Sequence, residues 1–557
     1  MRPTQLSVAA LSLLLAFSAH AGQPATPAAV AAYADKLLDE QKLDRGGPGV
    51  TVLVARGNQL LYKGARGMAS IELGVPMQPD QLMRIGSVTK QFAAATLLKQ
   101  IDEGKAKLDD PLSKFLPDYP NGSKITVVQL LNHTSGVKSY TGIAGYMGNP
   151  IRRDLSTVEL VKEFKDQPVD FAPGEQWAYN NSGYVLVGAV IEAIAGKPWY
   201  QQLDAALLQP AHIGAVHFPE GDKLFKGMAQ GYTLNAQGEV APAGFLSMTQ
   251  PHAAGALIAS TEGLWRWNQA LHGGKLISAA SYARMTTPEG PAKPRNYGFG
   301  IATGTLRGQP MLSHGGGING FVSALNYLPQ SQTTVVILRN SDGPGFSTDG
   351  VARKLAAFAI GEPFVDRKAV AVAAEQLKSA EGVYAIDERQ VRTLSVQDGV
   401  LVSQRAGGMT SPLTPLGNDR YTFPDQMTDL QIERGADGKA VAVNLFSDGG
   451  NTAERWARKG DAPAAKTFIK LNAAQQQVLL GNYSAPEFSI KIFMDEKGGR
   501  LMGQAPGQPA FELKASTPRR VHVTEVDAQL DFSPEDGKAT SVTLTQGGGK
   551  LVMPRKE

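Results

Sequence analysis

The last third of the chain repeats itself. Gly382-Val383-Tyr384 returns as Gly481-Asn482-Tyr483, Asp437-Gly438-Lys439 as Asp536-Gly537-Lys538, and Gly449-Gly450 as Gly548-Gly549, each pair 99 residues apart. A fixed period of this size marks two copies of one folding unit. Inside each copy the apolar residues alternate with polar ones, as in Leu394-Ser395-Val396-Gln397-Asp398-Gly399-Val400-Leu401-Val402 and Phe488-Ser489-Ile490-Lys491-Ile492-Phe493. Period-two alternation broken by turns predicts short strands, hence two small antiparallel barrels or sandwiches. Linkers are expected near Glu362-Pro363 and at Gly460-Asp461-Ala462-Pro463-Ala464-Ala465.

The rest of the 557 residues has room for a larger core. Strand patterns stand at both of its ends: Val50–Val54 with a turn at Gly57-Asn58 and a return at Leu60-Leu61-Tyr62, then Tyr297–Ile301, Phe321–Leu328 and Thr333–Leu338. Pro329-Gln330-Ser331-Gln332 reads as the hairpin between the last two. From about Ser87 to Met285 the pattern is helical. Strands from distant sequence enclosing a helical stretch predict an α+β unit, one antiparallel sheet with a helical insertion. The expected boundaries are 1–21 for a leader, 22–365 for the large unit, and 370–460 and 466–557 for the repeats.

Arg2, the apolar run from Val8 to Ala19 and the small-x-small triplet Ala19-His20-Ala21 read as a signal peptide, so the mature chain is expected in the periplasm or secreted. The apolar run is too short to span a bilayer, and no later one approaches the ~18 residues needed, so no integral membrane segment is expected in the mature chain. Cysteine is absent, which excludes thiol catalysis, disulfides and Cys-ligated metals. A formal charge of +4 without a long basic run gives no face for nucleic acid.

Ser87-Val88-Thr89-Lys90 carries the chemistry. A serine hydroxyl needs a base to take its proton. Residues three apart share a helix face, so Lys90 reaches back toward Ser87, and a buried lysine loses its charge and becomes a base. Ser135-Gly136-Val137-Lys138 repeats the spacing, but only Ser87 is followed by a helical pattern, Phe92, Ala95, Leu98 and Ile101, stopped at Gly104. The start of a helix also offers unpaired N–H groups to an oxyanion. Tyr179-Asn180-Asn181 precedes the apolar helix Tyr184–Ile194. A phenol beside a lysine relays protons, and an amide there holds a substrate amide. His314-Gly315-Gly316-Gly317 precedes a strand, and its glycines permit close approach of a ligand to the strand edge. Tyr119-Pro120-Asn121 is read as a chance match to the Tyr-x-Asn spacing.

In this order the three elements resemble the serine β-lactamase and penicillin-recognising hydrolase family, over about Gly49 to Phe358. Leu130–Gly136 and Gly104–Pro111 are similar to its class C and peptidase branch. The resemblance implies a β-lactamase-like fold with catalytic Ser87, Lys90 and Tyr179, and substrate contacts at Asn181, His314, Gly316 and Gly317. It further implies lipocalin-like barrels after the catalytic unit, as in D-aminopeptidases. The family's lactamases carry Lys-Thr-Gly where this chain has His314-Gly315-Gly316. A histidine is mostly neutral at its ordinary pKa of about 6.5, so carboxylate recognition is expected to weaken. The implied activity is an acyl-enzyme peptidase, amidase or esterase of D-aminopeptidase type. A class C-like β-lactamase or D-Ala-D-Ala carboxypeptidase stands as an alternative, and a non-catalytic envelope-binding protein as a further one. The implied partners are a small molecule or short peptide and possibly further copies of the chain; no cofactor is implied.

Gly315–Gly320 fits Gly-x-Gly-x-x-Gly, but a strand pattern follows where a nucleotide-binding turn needs a helix. No Gly-x-Ser-x-Gly or His-Glu-x-x-His occurs. His133 and His252 are expected in turns or core, and Trp265 and Trp267 packing a helix.

Overall fold

The site is built on a six-stranded antiparallel sheet in which the chain's residue 50 region is zipped against its residue 335 region. The strands are β1 (Val50–Arg56), β2 (Gln59–Arg66), β3 (Ala302–Leu306), β4 (Gln309–Ile318), β5 (Phe321–Leu328) and β6 (Thr333–Arg339), in the order β3-β4-β5-β6-β1-β2. The computed structural model describes residues 23–556 except 42, 44, 144, 222, 236–237, 389, 407, 465–466, 486–487, 496–498, 506–509, 524–525 and 547–548. The expected signal segment, Ala465 and Gly548 lie outside the described residues.

Register runs from Val50↔Arg339 to Arg56↔Thr333, and Gly57 N–H donates to Gln332 O at 2.9 Å, aligning the two hairpins. The central strands are apolar on both faces because both are covered. Val50, Val52, Val54, Val335 and Ile337 pack with α1 (Pro27–Glu40) and the helix Thr348–Ala359. Leu53, Ala55, Val336 and Leu338 face the helical insertion. The two sets alternate along each strand, as the pleat requires. In the insertion, α2 (Thr89–Asp102) is buried around most of its circumference, and α3 (Asn181–Ala195) packs beside it.

One expected strand is absent. Over Tyr297–Ile301 only Tyr297 pairs, in a single bridge to Ala302, and β3 begins at Ala302. Gly300 has φ +69°, and a Cβ on it would lie 2.7 Å from the carbonyl of Lys90. The chain turns here to pass against α2, and alternation alone does not show such a turn.

Both C-terminal copies are antiparallel. The second is a closed eight-stranded barrel from Gly481–Ser484 to Gly549–Lys556, and the first a nearly closed nine-stranded sheet from Gly382–Ala385 to Glu454–Gly460. The extra strand has a local cause. Thr410–Pro412 and Thr414–Gly417 end the nine-stranded sheet on opposite sides yet are separated in sequence by Leu413 alone. They occupy the place of the continuous strand Phe511–Thr517 in the second copy. Pro412 and Pro415 lack the N–H that a continuous ladder needs. The repeated tyrosines serve one purpose: the Tyr384 hydroxyl donates to Ala380 O at 2.7 Å and that of Tyr483 to Leu479 O at 2.8 Å, pinning a preceding short helix beneath each barrel.

Candidate active site

Ser87 lies in a 3-10 turn, Gly86–Val88, that runs straight into α2. The turn is anchored through Ile85 N–H to Leu257 O at 3.0 Å and Leu257 N–H to Thr89 Oγ1 at 3.1 Å. Two glycines let β4 reach it. Gly86 has φ +51°, and a Cβ there would sit 2.9 Å from Gly317 N; a Cβ on Gly316 would sit 2.0 Å from Ile85 O. Ser323 on β5 donates to Ile85 O at 2.8 Å and fixes the contact. Gly316 therefore faces the nucleophile turn, whereas a Cβ on Gly317 would meet nothing within 4 Å. β3 pairs with β4 only through Ser313, so the edge of β4 from His314 to Ile318 has no strand on that side.

Lys90 is fully buried. Its Nζ lies 3.1 Å from Ser87 Oγ, 2.9 Å from Asn181 Oδ1 and 2.8 Å from Ala254 O. Loss of hydration holds its pKa well below the ordinary lysine value, which favours the neutral amine. A neutral amine has two N–H groups and one lone pair. The two carbonyl oxygens only accept, so they take both N–H groups. The lone pair is left for the Ser87 proton.

Asn181 opens α3 and is held in turn: its Nδ2 donates to Thr141 Oγ1 at 3.1 Å and its N–H to Ser139 Oγ at 3.3 Å. Asn180 caps the helix by accepting from Gly183 N–H at 2.8 Å, and its amide also bonds Val137 O. The loop from His133 to Thr141 is thereby tied to the start of α3. Tyr179, just before the cap, turns its ring toward Lys90, whose Nζ is 4.7 Å from the ring centre. Its hydroxyl bonds Ser87; burial raises the phenol's pKa and that bond opposes it only in part. The phenol stays protonated at neutral pH.

His314 is buried and neutral. Its Nδ1 lies 2.6 Å from Gly315 O, an acceptor, so Nδ1 carries the proton. Its Nε2, 2.8 Å away, then accepts from the Tyr297 hydroxyl. Burial, with Lys90 nearby, pushes the His314 pKa down to about 4. Tyr297 also touches His133 and Tyr179, at ring-centre distances of 4.8 and 6.0 Å. His133 lies behind Tyr179 at 4.5 Å and accepts from Asn180 N–H at 3.2 Å. The structure thus adds Tyr297 and His133 to the residues foreseen. Tyr297 had only a strand pattern to mark it, and that pattern misread its backbone.

Ser87, Lys90, Tyr179, Asn181, His314, Gly316 and Gly317 are all brought together. The competing motifs are not. Lys138 forms a half-exposed ion pair with Asp170 at 2.9 Å, and Tyr119 lines a separate cleft with Lys138 and Phe164. Trp267 stacks on Phe92 at 3.8 Å, Trp265 donates to Gly57 O at 3.3 Å, and His252 bonds Thr157 in the core. Gly315–Gly320 spans β4 and its hairpin, as its strand pattern implied. Among the described residues no cluster of His, Asp and Glu is arranged to hold a metal, and no helix is long and apolar enough to cross a membrane.

A family model described as Beta-lactamase matches residues 30–359. The D-aminopeptidase of Brucella anthropi is 24% identical over 470 residues, covering 83% of each chain. Esterase EstB of Burkholderia gladioli is 34% identical over 197 residues, 33% of this chain and 50% of the esterase. Among solved structures, a D-stereospecific amidohydrolase from Streptomyces sp. superposes with a TM-score of 0.50 at 29% identity, over 56% of this chain and 94% of its own.

Proposed function

The chain belongs to the Beta-lactamase family of serine hydrolases, and from that premise we propose that it is an exported hydrolase of amide or ester bonds, acting through an acyl-enzyme on D-aminopeptidase-type substrates. The observation that carries the reading is the Lys90 amine, stripped of water, with both N–H groups engaged and Ser87 Oγ at 3.1 Å.

Lys90 takes the Ser87 proton as Oγ bonds the substrate carbonyl carbon. The resulting oxyanion is held by the backbone N–H groups of Ser87 and Gly317, each typically worth ~3 kcal/mol. Tyr179, a neutral phenol, passes a proton to the leaving nitrogen or oxygen as its bond to the carbonyl carbon breaks, and is reprotonated from Lys90. Water then attacks the acyl-enzyme, giving its proton back along the same path, and frees Ser87. Asn181 holds Lys90 and contacts the substrate amide, and the substrate lies along the open edge of β4.

The substrate class rests on His314. A neutral imidazole whose Nε2 already accepts from Tyr297 offers no cation to a carboxylate in the place where lactamases carry lysine. Coverage of most of a D-aminopeptidase, barrels included, supports the same class. The export expectation rests on residues 1–21. A fluorophosphonate or penicillin label followed by peptide mapping tests the mechanism: label on Ser87, lost in Ser87→Ala, is expected. Label elsewhere with a fully active Ser87→Ala contradicts it. A screen of D- and L-aminoacyl amides, short esters and nitrocefin tests the substrate class, with D-aminoacyl amides favoured; rapid nitrocefin turnover favours a β-lactamase instead.

A further inference from the structure

A cavity of about 1250 Å³ separates the catalytic sheet from the last barrel. Its catalytic wall includes Asn319 and Asp342. Asn319 stands in the turn after β4, two residues beyond Gly317, or ~7 Å along the strand at ~3.3 Å per residue. The cavity therefore begins where the open edge of β4 ends. Asp342 is the one acid among the described lining residues, and it accepts from Gly320 N–H at 2.8 Å, holding this turn in place.

The barrel wall is a row set by register. Asn482 pairs with Lys556 on one side and with Lys491 on the other, and Lys491 pairs with Gln504. Neighbouring Tyr483, Ile490 and Ile492 are buried in the barrel, so alternation turns the row outward, and all four line the cavity. At ~4.8 Å between strands, the two lysines stand ~10 Å apart astride an amide. That spacing suits an extended chain bearing carboxylates, which ammonium and amide groups bind through charge-assisted hydrogen bonds.

We propose that this cavity receives the leaving side of the substrate and that Lys491 and Lys556 select an acidic peptide there. The inference rests on the D-aminopeptidase-type reading, under which the acyl part is a single N-terminal residue and only the leaving chain extends. Any substrate lying along β4 past Gly317 enters this space, whose barrel wall presents two cations.

Calorimetric binding of D-Ala-Gly-Glu-Glu and D-Ala-Gly-Gln-Gln to the full-length Ser87→Ala chain tests it, in that background alone and with Lys491→Glu and Lys556→Glu added. The acidic peptide is expected to bind about tenfold tighter, less so at high salt, with the preference abolished or reversed in the charge-reversed chain at unchanged melting temperature. Equal affinity for the two peptides, or a preference that survives charge reversal, overturns the proposal. Turnover by the unmutated chain is read separately. If neither peptide is hydrolysed but the affinity difference holds, the D-aminopeptidase reading fails and the cavity remains an acidic-peptide site.

Discussion

Lys90 is a base because it is costly to charge, and that cost has a measurable sign. Its folded pKa lies below its unfolded one, so between the two the unfolded chain binds the extra proton. Stability attributable to Lys90 therefore rises with pH across that window, by up to about 1.4 kcal/mol per pH unit, and levels off above the unfolded value. Urea melts of the parent protein and Lys90→Met are expected to show the difference moving in the parent's favour as pH increases; a pH-independent difference contradicts a buried neutral amine. Tyr297→Phe makes a second test at this scale. Removing a donor to Nε2 removes a bond that favours neutral His314, so its pKa rises. The acid limb of kcat/KM should move to higher pH, which loss of packing alone does not produce. Ser87 and Lys90 were legible in sequence because three residues of helix bring them together. Tyr297 and His133 were not, since their contacts depend on where a turn and a distant loop come to rest.

At the scale of elements, the hairpin β4–β5 is held to the nucleophile turn by a glycine contact and one serine. Gly316→Ala places a Cβ 2.0 Å from Ile85 O. It is expected to cost several kcal/mol and most activity, by the overpacking that close backbone approach forbids. Gly317→Ala faces open space and should leave the melting temperature within a degree or two while impeding substrate along the edge. Thermal melts and kcat/KM of the pair separate the two roles; equal melting losses contradict the assignment. The motif showed that glycines are needed here, but the sequence holds no sign of which one faces protein and which faces solvent. The strand that failed at Tyr297–Ile301 failed for the same reason, because Gly300 answers to the backbone of Lys90.

Across the molecule, buried histidines set the acid limit. Burial holds His133 well below the usual range, His272 at about 3 and His314 at about 4. Each binds its proton in the unfolded chain near pH 6.5 but not in the folded one, so their effect on stability is nil above that pH and grows as pH falls. Between pH 6.5 and 5 each removes about 2 kcal/mol. His272→Phe, whose ring would stack on Tyr327 as the imidazole does at 4.1 Å, is expected to flatten this acid slope in chemical melts at pH 7 and 5. An unchanged slope contradicts it. The repeat was plain at this scale because both copies pin a tyrosine and pair the same strands. Their junction with the catalytic unit was not plain: it depends on contacts such as Arg353 with Asp448 at 2.8 Å, which join distant segments.

The pH dependence of Ser87 acylation, followed with a neutral fluorophosphonate on the parent chain and on Lys90→Met, bears most directly on the whole account. The rate should climb through an apparent pKa well below the ordinary lysine value of 10.5 in the parent and lose that climb in the variant. A midpoint at the ordinary value, or a variant that is acylated as fast as the parent, would contradict it.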